Sequence, residues 1–170
     1  PQGALGESGH QPSPVAFKAD PSAAIPYVVG RTGVGGNILF AQVDGDKNKF
    51  LHYITALSLG PIEEIGAFSA NGETVTWSGN AATGRFAGKM WQDWRLGATP
   101  DTALQLAASV SGASLSEWTA DHKLSGIAAT QWILESDVGV YPTGTPRPIW
   151  VIKGLKVYDP RLDSTYPGGS

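Results

Sequence analysis

Turn chemistry recurs along this chain about every 8–12 residues, a spacing that leaves room for strands and for few helices. The chain holds 22 glycines and 12 prolines in 170 residues, so apolar runs stay short. Candidate strands cover residues 25–32, 37–43, 50–59, 62–69, 74–77, 126–135 and 148–158. Asp44-Gly45-Asp46 and Asn71-Gly72 fall between such runs and mark hairpins, because these residues accept positive φ at low cost. The stretch 50–59 carries apolar residues on both of its alternating sides, which predicts a central strand. Trp132 and Trp150 lie in apolar strands and are expected in the core. Thr99-Pro100-Asp101, followed by Ala103, Leu104, Leu106, Ala107 and Val110, predicts one short helix near 101–110. The fold class is therefore mainly β (a β-rich α+β chain), an antiparallel barrel or sandwich with one short helix in an inserted segment.

Residues 1–24 show neither helical nor strand periodicity and read as an extended arm or linker. Residues 25–161 form the β-rich domain, with 78–114 as a peripheral insertion, and 162–170 read as a tail toward further domains. The chain starts at Pro1 and has Met90 as its only methionine, so it reads as a piece of something longer.

Charged residues make up 16% and the net charge is −3, which argues against specific nucleic-acid binding, since that needs a basic footprint. Cysteine is absent, which excludes disulfides and thiolate metal sites. No run of 18 apolar residues is present.

Each chemistry-bearing pattern fails on inspection. Asp44, Asp46 and Asn48 have the opening spacing of a calcium loop, but Lys49 and Thr55 stand where glycine and glutamate are needed. The stretch 30–37 is glycine-rich without the lysine and following helix of a phosphate cradle. His10, His52 and His122 are too scattered for a zinc site. Ser116, Asp121 and His122 supply triad residue types without a nucleophile elbow. Glu63 and Glu64 are adjacent and read as a solvated face. No enzyme activity, catalytic residue, metal or cofactor is expected. Trp91 and Trp94, flanked by Gln92, Asp93 and Arg95, stand between core and interface roles. Val15 and Phe17 give the arm its apolar anchors. These four residues are the candidate assembly interface.

Five elements occur in a fixed order: I-P-x-x-x-G-R-x-x-V-G-G-N-I (25–38), L-x-x-G-P-I-E-x-I (57–65), W-T-x-D-H-x-x-x-G-I-A (118–128), a proline-bearing loop, and K-G-x-K-V-Y-D-P-R (153–161). In this set the chain resembles the central tail-tip hub proteins of long-tailed bacteriophages, the lambda tip attachment protein J-like family. The resemblance implies a mainly β hub domain that closes the distal tail tube as a homotrimer in its full-length parent. It also implies other phage tail proteins as partners, a host cell-surface receptor met through the parent chain, a place at the virion tail tip, and roles in attachment and DNA delivery. It implies no active site in this region. A second reading is a glycan- or receptor-binding β-sandwich module using exposed tryptophans, and a third is a tail-borne cell-wall hydrolase.

Overall fold

In the computed structural model, which describes residues 23–155, the chain changes sheets at Gly35-Gly36. The preceding strand, β1 (Arg31–Val34), lies in a four-stranded sheet, and β2 (Asn37–Asp44) lies in a six-stranded one. Gly36 has φ +73°, and a Cβ there would sit 2.4 Å from Thr55 Cγ2. Only glycine makes that corner without displacing the strand beneath it.

β3 (Phe50–Leu59), β4 (Glu64–Ala70), β5 (Glu73–Val75), β6 (Trp77–Ser78), β7 (Ala81–Ala82), β8 (Met90–Leu96), β9 (Ile127–Glu135) and β10 (Pro148–Lys153) complete the described strands. The sheets run β1-β10-β4-β5 and β2-β3-β9-β8-β7-β6, and every pairing within them is antiparallel. The chain crosses between them again from β3 to β4, from β5 to β6 and from β9 to β10. The result is a sandwich rather than a closed barrel.

Between the sheets, Trp132 of β9 and Trp150 of β10 are both 0% exposed and meet edge to face at 5.8 Å. Phe68 of β4 contacts both rings, and Tyr53 of β3 stacks on Trp132 at 4.9 Å. The Trp132 indole N–H donates to Thr55 Oγ1 at 3.2 Å, so that buried ring also has its polar group satisfied. Aromatic pairs of this kind add ~0.5–1.5 kcal/mol each beyond the area they bury.

β3 and β9 are buried on their other face as well. Phe50 and Ile133 pack with Leu106, Ala107 and Val110, while Ile54 and Ala129 pack with Leu104 and Trp118. A third, irregular layer built from residues 97–126 therefore covers the six-stranded sheet. This is why 50–59 is apolar on both sides.

That layer contains the expected helix only as a single 3-10 turn, Leu106–Ser109. Side chains have taken the backbone groups that an α-helix over 101–110 would pair internally. The Arg95 guanidinium donates to the carbonyls of Thr102 and Ala103, and the Leu106 N–H donates to Gln131 Oε1 at 2.8 Å. The apolar residues with helical spacing instead lie flat on the sheet.

The expectation that 78–114 is a peripheral insertion is corrected on the same grounds. β8 pairs with β9 over its whole length, Met90 is 0% exposed between the sheets, and Leu104 and Leu106 are each 2% exposed. Sequence alone hides this because β9 supplies the pairing partner from more than thirty residues downstream.

Candidate functional site

The described surface carries exposed apolar side chains on β2, on β8 and beside the ends of β3. Among the described residues β2 is the outermost strand of its sheet, and none of them pairs with its outer edge over its eight residues. Its face toward the sandwich carries Leu39, Ala41 and Val43, and Leu39 and Val43 are 37% and 50% exposed. Exposed edges with an apolar face are templates for another strand.

Val43 leads into a cleft of ≈ 360 Å³ floored by Leu51 and Leu134 and rimmed by Lys49, Asp137, Val138 and Tyr141. Two turns hold the rim. After β2, Lys47 and Asn48 adopt positive φ at 55° and 57°. Beyond β9, Asp137 Oδ1 accepts from the N–H groups of Gly139 and Val140. Lys89 Nζ lies 2.7 Å from Glu135 Oε1 and 3.2 Å from Asp137 Oδ2, and Lys49 Nζ reaches the same Glu135 oxygen at 3.3 Å.

The charges at this end tune one another. Hydrogen bonds to Glu135 and Asp137 hold the Lys89 ammonium above its ordinary range. Desolvation pushes Glu135 up, but the hydrogen bonds from Lys89 and Lys49 outweigh it and leave the carboxyl below its usual value. Asp137 is lowered by Lys89 and then by its backbone donors. Burial pushes the Tyr141 phenol well up, and its O–H donates to the Lys89 carbonyl at 2.6 Å. The carboxylates are thus committed to ion pairs, and the arrangement suits an apolar side chain docked against a charged rim. No sequence signal pointed to this network, because Lys89 and Glu135 stand 46 residues apart.

At the opposite end of β3, Tyr27, Val29 and Leu59 are 62%, 50% and 50% exposed around Gly60.

The four residues expected at an assembly interface separate. Val15 and Phe17 lie outside the described residues, as does nearly all of the 1–24 arm and the 162–170 tail. Trp91 and Trp94 are three residues apart on one strand, so they point to opposite faces. Trp91 packs with Phe50 beneath the third layer at 6.3 Å, whereas Trp94 stays 38% exposed.

The failed chemical patterns have structural uses. Asp44 Oδ1 meets His52 Nε2 at 2.5 Å, and its Oδ2 accepts from the Ser114 N–H. His52 is 0% exposed, so this pair pins the third layer to the β2–β3 hairpin rather than facing a cleft. Gln42 adds bonds to the Ser116 hydroxyl and the Glu117 N–H. His122 accepts from the Thr119 N–H at 3.0 Å and stacks on Trp118 at 4.8 Å, which leaves Ser116, Asp121 and His122 unassembled. Glu63 accepts from Lys153 at 2.8 Å. Among the described residues no group of three or more His, Asp or Glu side chains could hold a metal.

No family model matches this sequence, and no curated protein matches it either. Among solved structures, the chain is similar to a chain of the virion of a native gene transfer agent particle, with a TM-score of 0.58 and 17% identity over 90% of its length. It spans 31% of that chain, and the likeness is one of fold.

Proposed function

We propose that this chain is a virion structural domain, specifically a hub domain that closes the distal end of a phage tail tube and works without enzymatic chemistry. The observation that carries the reading is the shared fold with a chain of a gene transfer agent virion over 90% of this sequence. The five ordered sequence elements support it, and several of them fall where the backbone tolerates little change. Gly36 makes the sheet-to-sheet corner, and a Cβ on Gly154 would lie 2.2 Å from the Val28 carbonyl. Trp118 and His122 stack to close the third layer.

In this reading the full-length parent is a homotrimer that contacts other tail proteins and serves host attachment and DNA delivery. The exposed apolar areas at the two ends of β3 are then subunit contacts, as a head-to-tail ring needs two different surfaces. The glycan-binding alternative calls for a row of exposed aromatic rings on one face. Among the described residues the exposed aromatics are Tyr27 and Trp94, one in the segment before β1 and the other on β8. The test is the symmetry of the parent in assembled particles, by light scattering and electron microscopy. A threefold distal density labelled by an antibody to this chain is expected, and a monomeric or dimeric parent refutes the hub assignment.

A further inference from the structure

Beneath the third layer, two fully buried polar side chains each leave one atom unpaired. His52 of β3 and Gln131 of β9 are both 0% exposed, and His52 Nδ1 and Gln131 Nε2 have no hydrogen-bond partner among the described residues. Buried polar atoms in native proteins are almost always paired, with protein or with ordered water. Both residues are fixed through their other polar atom. His52 Nε2 lies 2.5 Å from Asp44 Oδ1. A carboxylate only accepts, so Nε2 carries the ring hydrogen and Nδ1 presents its lone pair. Gln131 Oε1 accepts from the Leu106 N–H at 2.8 Å, which fixes the amide and leaves Nε2 as a donor. One unpaired atom is therefore an acceptor and the other a donor.

Strand register brings the two together. His52 stands opposite Ile133 and Ile54 opposite Gln131, so His52 and Gln131 are diagonal neighbours on one face of the sheet. Such pairs lie about 7–8 Å apart, within reach of long side chains. They do not bond each other directly. The side chains packed around them are apolar, with Leu106 and Val110 over Ile133 and Leu104 over Ile54. A pocket of ≈ 230 Å³ opens the third layer between residues 105–108 and 113–118. Ala107, Leu115 and Trp118 in its wall belong to the same packing, so the pocket brings solvent to the side chains that cover this part of the sheet.

We propose that a single buried water bridges Gln131 Nε2 and His52 Nδ1, accepting from the amide and donating to the ring. Buried waters bond about two to four polar groups each, and this site supplies two of complementary kind. The water completes a relay in which every donor points the same way. The Leu106 N–H donates to Gln131, Gln131 to the water, the water to His52, and His52 to Asp44. Asp44 Oδ2 also accepts from the Ser114 N–H. Both ends of the segment 106–114 are thereby tied to one polar chain under the layer, whose bonds strengthen one another. This inference does not depend on the tail-tip reading.

The test is nuclear magnetic resonance on the isotope-labelled full chain. Water-selective Overhauser spectra are expected to show cross-peaks from a long-lived water to the Gln131 side-chain amide and to His52 Hε1. The ring nitrogen shifts of His52 are expected to place its hydrogen on Nε2. Gln131→Leu removes the donor, and the His52 cross-peak is expected to be lost while the Trp132 indole resonance reports a folded core. The wild-type spectra decide alone if that variant does not fold. Absence of the water cross-peak at either group, a scalar coupling that shows Gln131 bonded directly to His52, a hydrogen on Nδ1, or a His52 cross-peak retained in folded Gln131→Leu each overturns the proposal.

Discussion

Leu106→Ala asks whether the layer built from residues 97–126 belongs to the cooperative core. Leu106 is 2% exposed among Phe50, Ala107, Val110 and Ile133. The substitution removes three carbons, worth ~2.4 kcal/mol at about 0.8 kcal/mol each. The space left under a layer pinned at both ends relaxes little, and the cavity term raises the total to ~3–4 kcal/mol. A domain of ordinary stability has about 5–15 kcal/mol in all, so the loss is large. In urea, with a slope of about 2 kcal/mol/M, the midpoint falls by roughly 1.5–2 M at unchanged slope. Tryptophan fluorescence reports the transition, because Trp91 and Trp118 sit in this layer's contacts and Trp132 and Trp150 between the sheets. Val138→Ala, at a position 81% exposed, is the control and should move stability by less than ~0.5 kcal/mol. A loss below ~1 kcal/mol, or an early separate transition, would show that the layer unfolds on its own and refute the three-layer argument.

Three further outcomes are expected. Gly36→Val forces a side chain into Thr55 at a residue with φ +73°, so thermal melts should drop by at least ~2 kcal/mol equivalent, and an unchanged melt contradicts the corner argument. Glu135 and Asp137 titrate below their ordinary values, so they add stability above the usual carboxylate pKa of ~4 and lose it as pH falls through their lowered values. Lys89→Met should therefore destabilise at pH 7 and progressively less toward pH 3, and an equal deficit at both pH values counts against the ion-pair network. Asp44→Ala removes the acceptor shared by His52 and the Ser114 N–H and should cost ~1–3 kcal/mol, with faster amide exchange at Ser114 as the local signature.

Where strands carried their own signal, the sequence was readable. β3 has the bounds 50–59 that its alternation indicates, and its two apolar sides correspond to the two layers packed on it. The turns at Gly45 and Asn71-Gly72 hold the positive φ that these residues accept, and the first turn places Lys47 and Asn48 there as well. β8 was ambiguous because Trp91 and Trp94 alternate with polar Gln92, Asp93 and Arg95, and only pairing with β9 decides its conformation. Leu104, Leu106, Ala107 and Val110 satisfy a helical spacing and an irregular apron equally well. The choice lay with Gln131 and Arg95, whose side chains bind that backbone from the sheet. The charged rim around Lys89 was invisible for the same reason, being assembled from distant positions.

The placement of β9 also orders events on the ribosome. Thr55 and Trp132, neighbours across the central strand pair, are separated by 77 residues. At about 5–20 residues per second, β3 waits roughly 4–15 s after synthesis for its partner. Throughout that interval Ile54, Ala56 and Leu57, all fully buried in the finished domain, have no strand from β9 beside them. A nascent chain stopped before Ile127 would hold eight of the ten described strands and still lack the one that joins β3 to β8. Such truncated chains should be recovered in the insoluble fraction, so premature termination late in this message wastes nearly the whole domain.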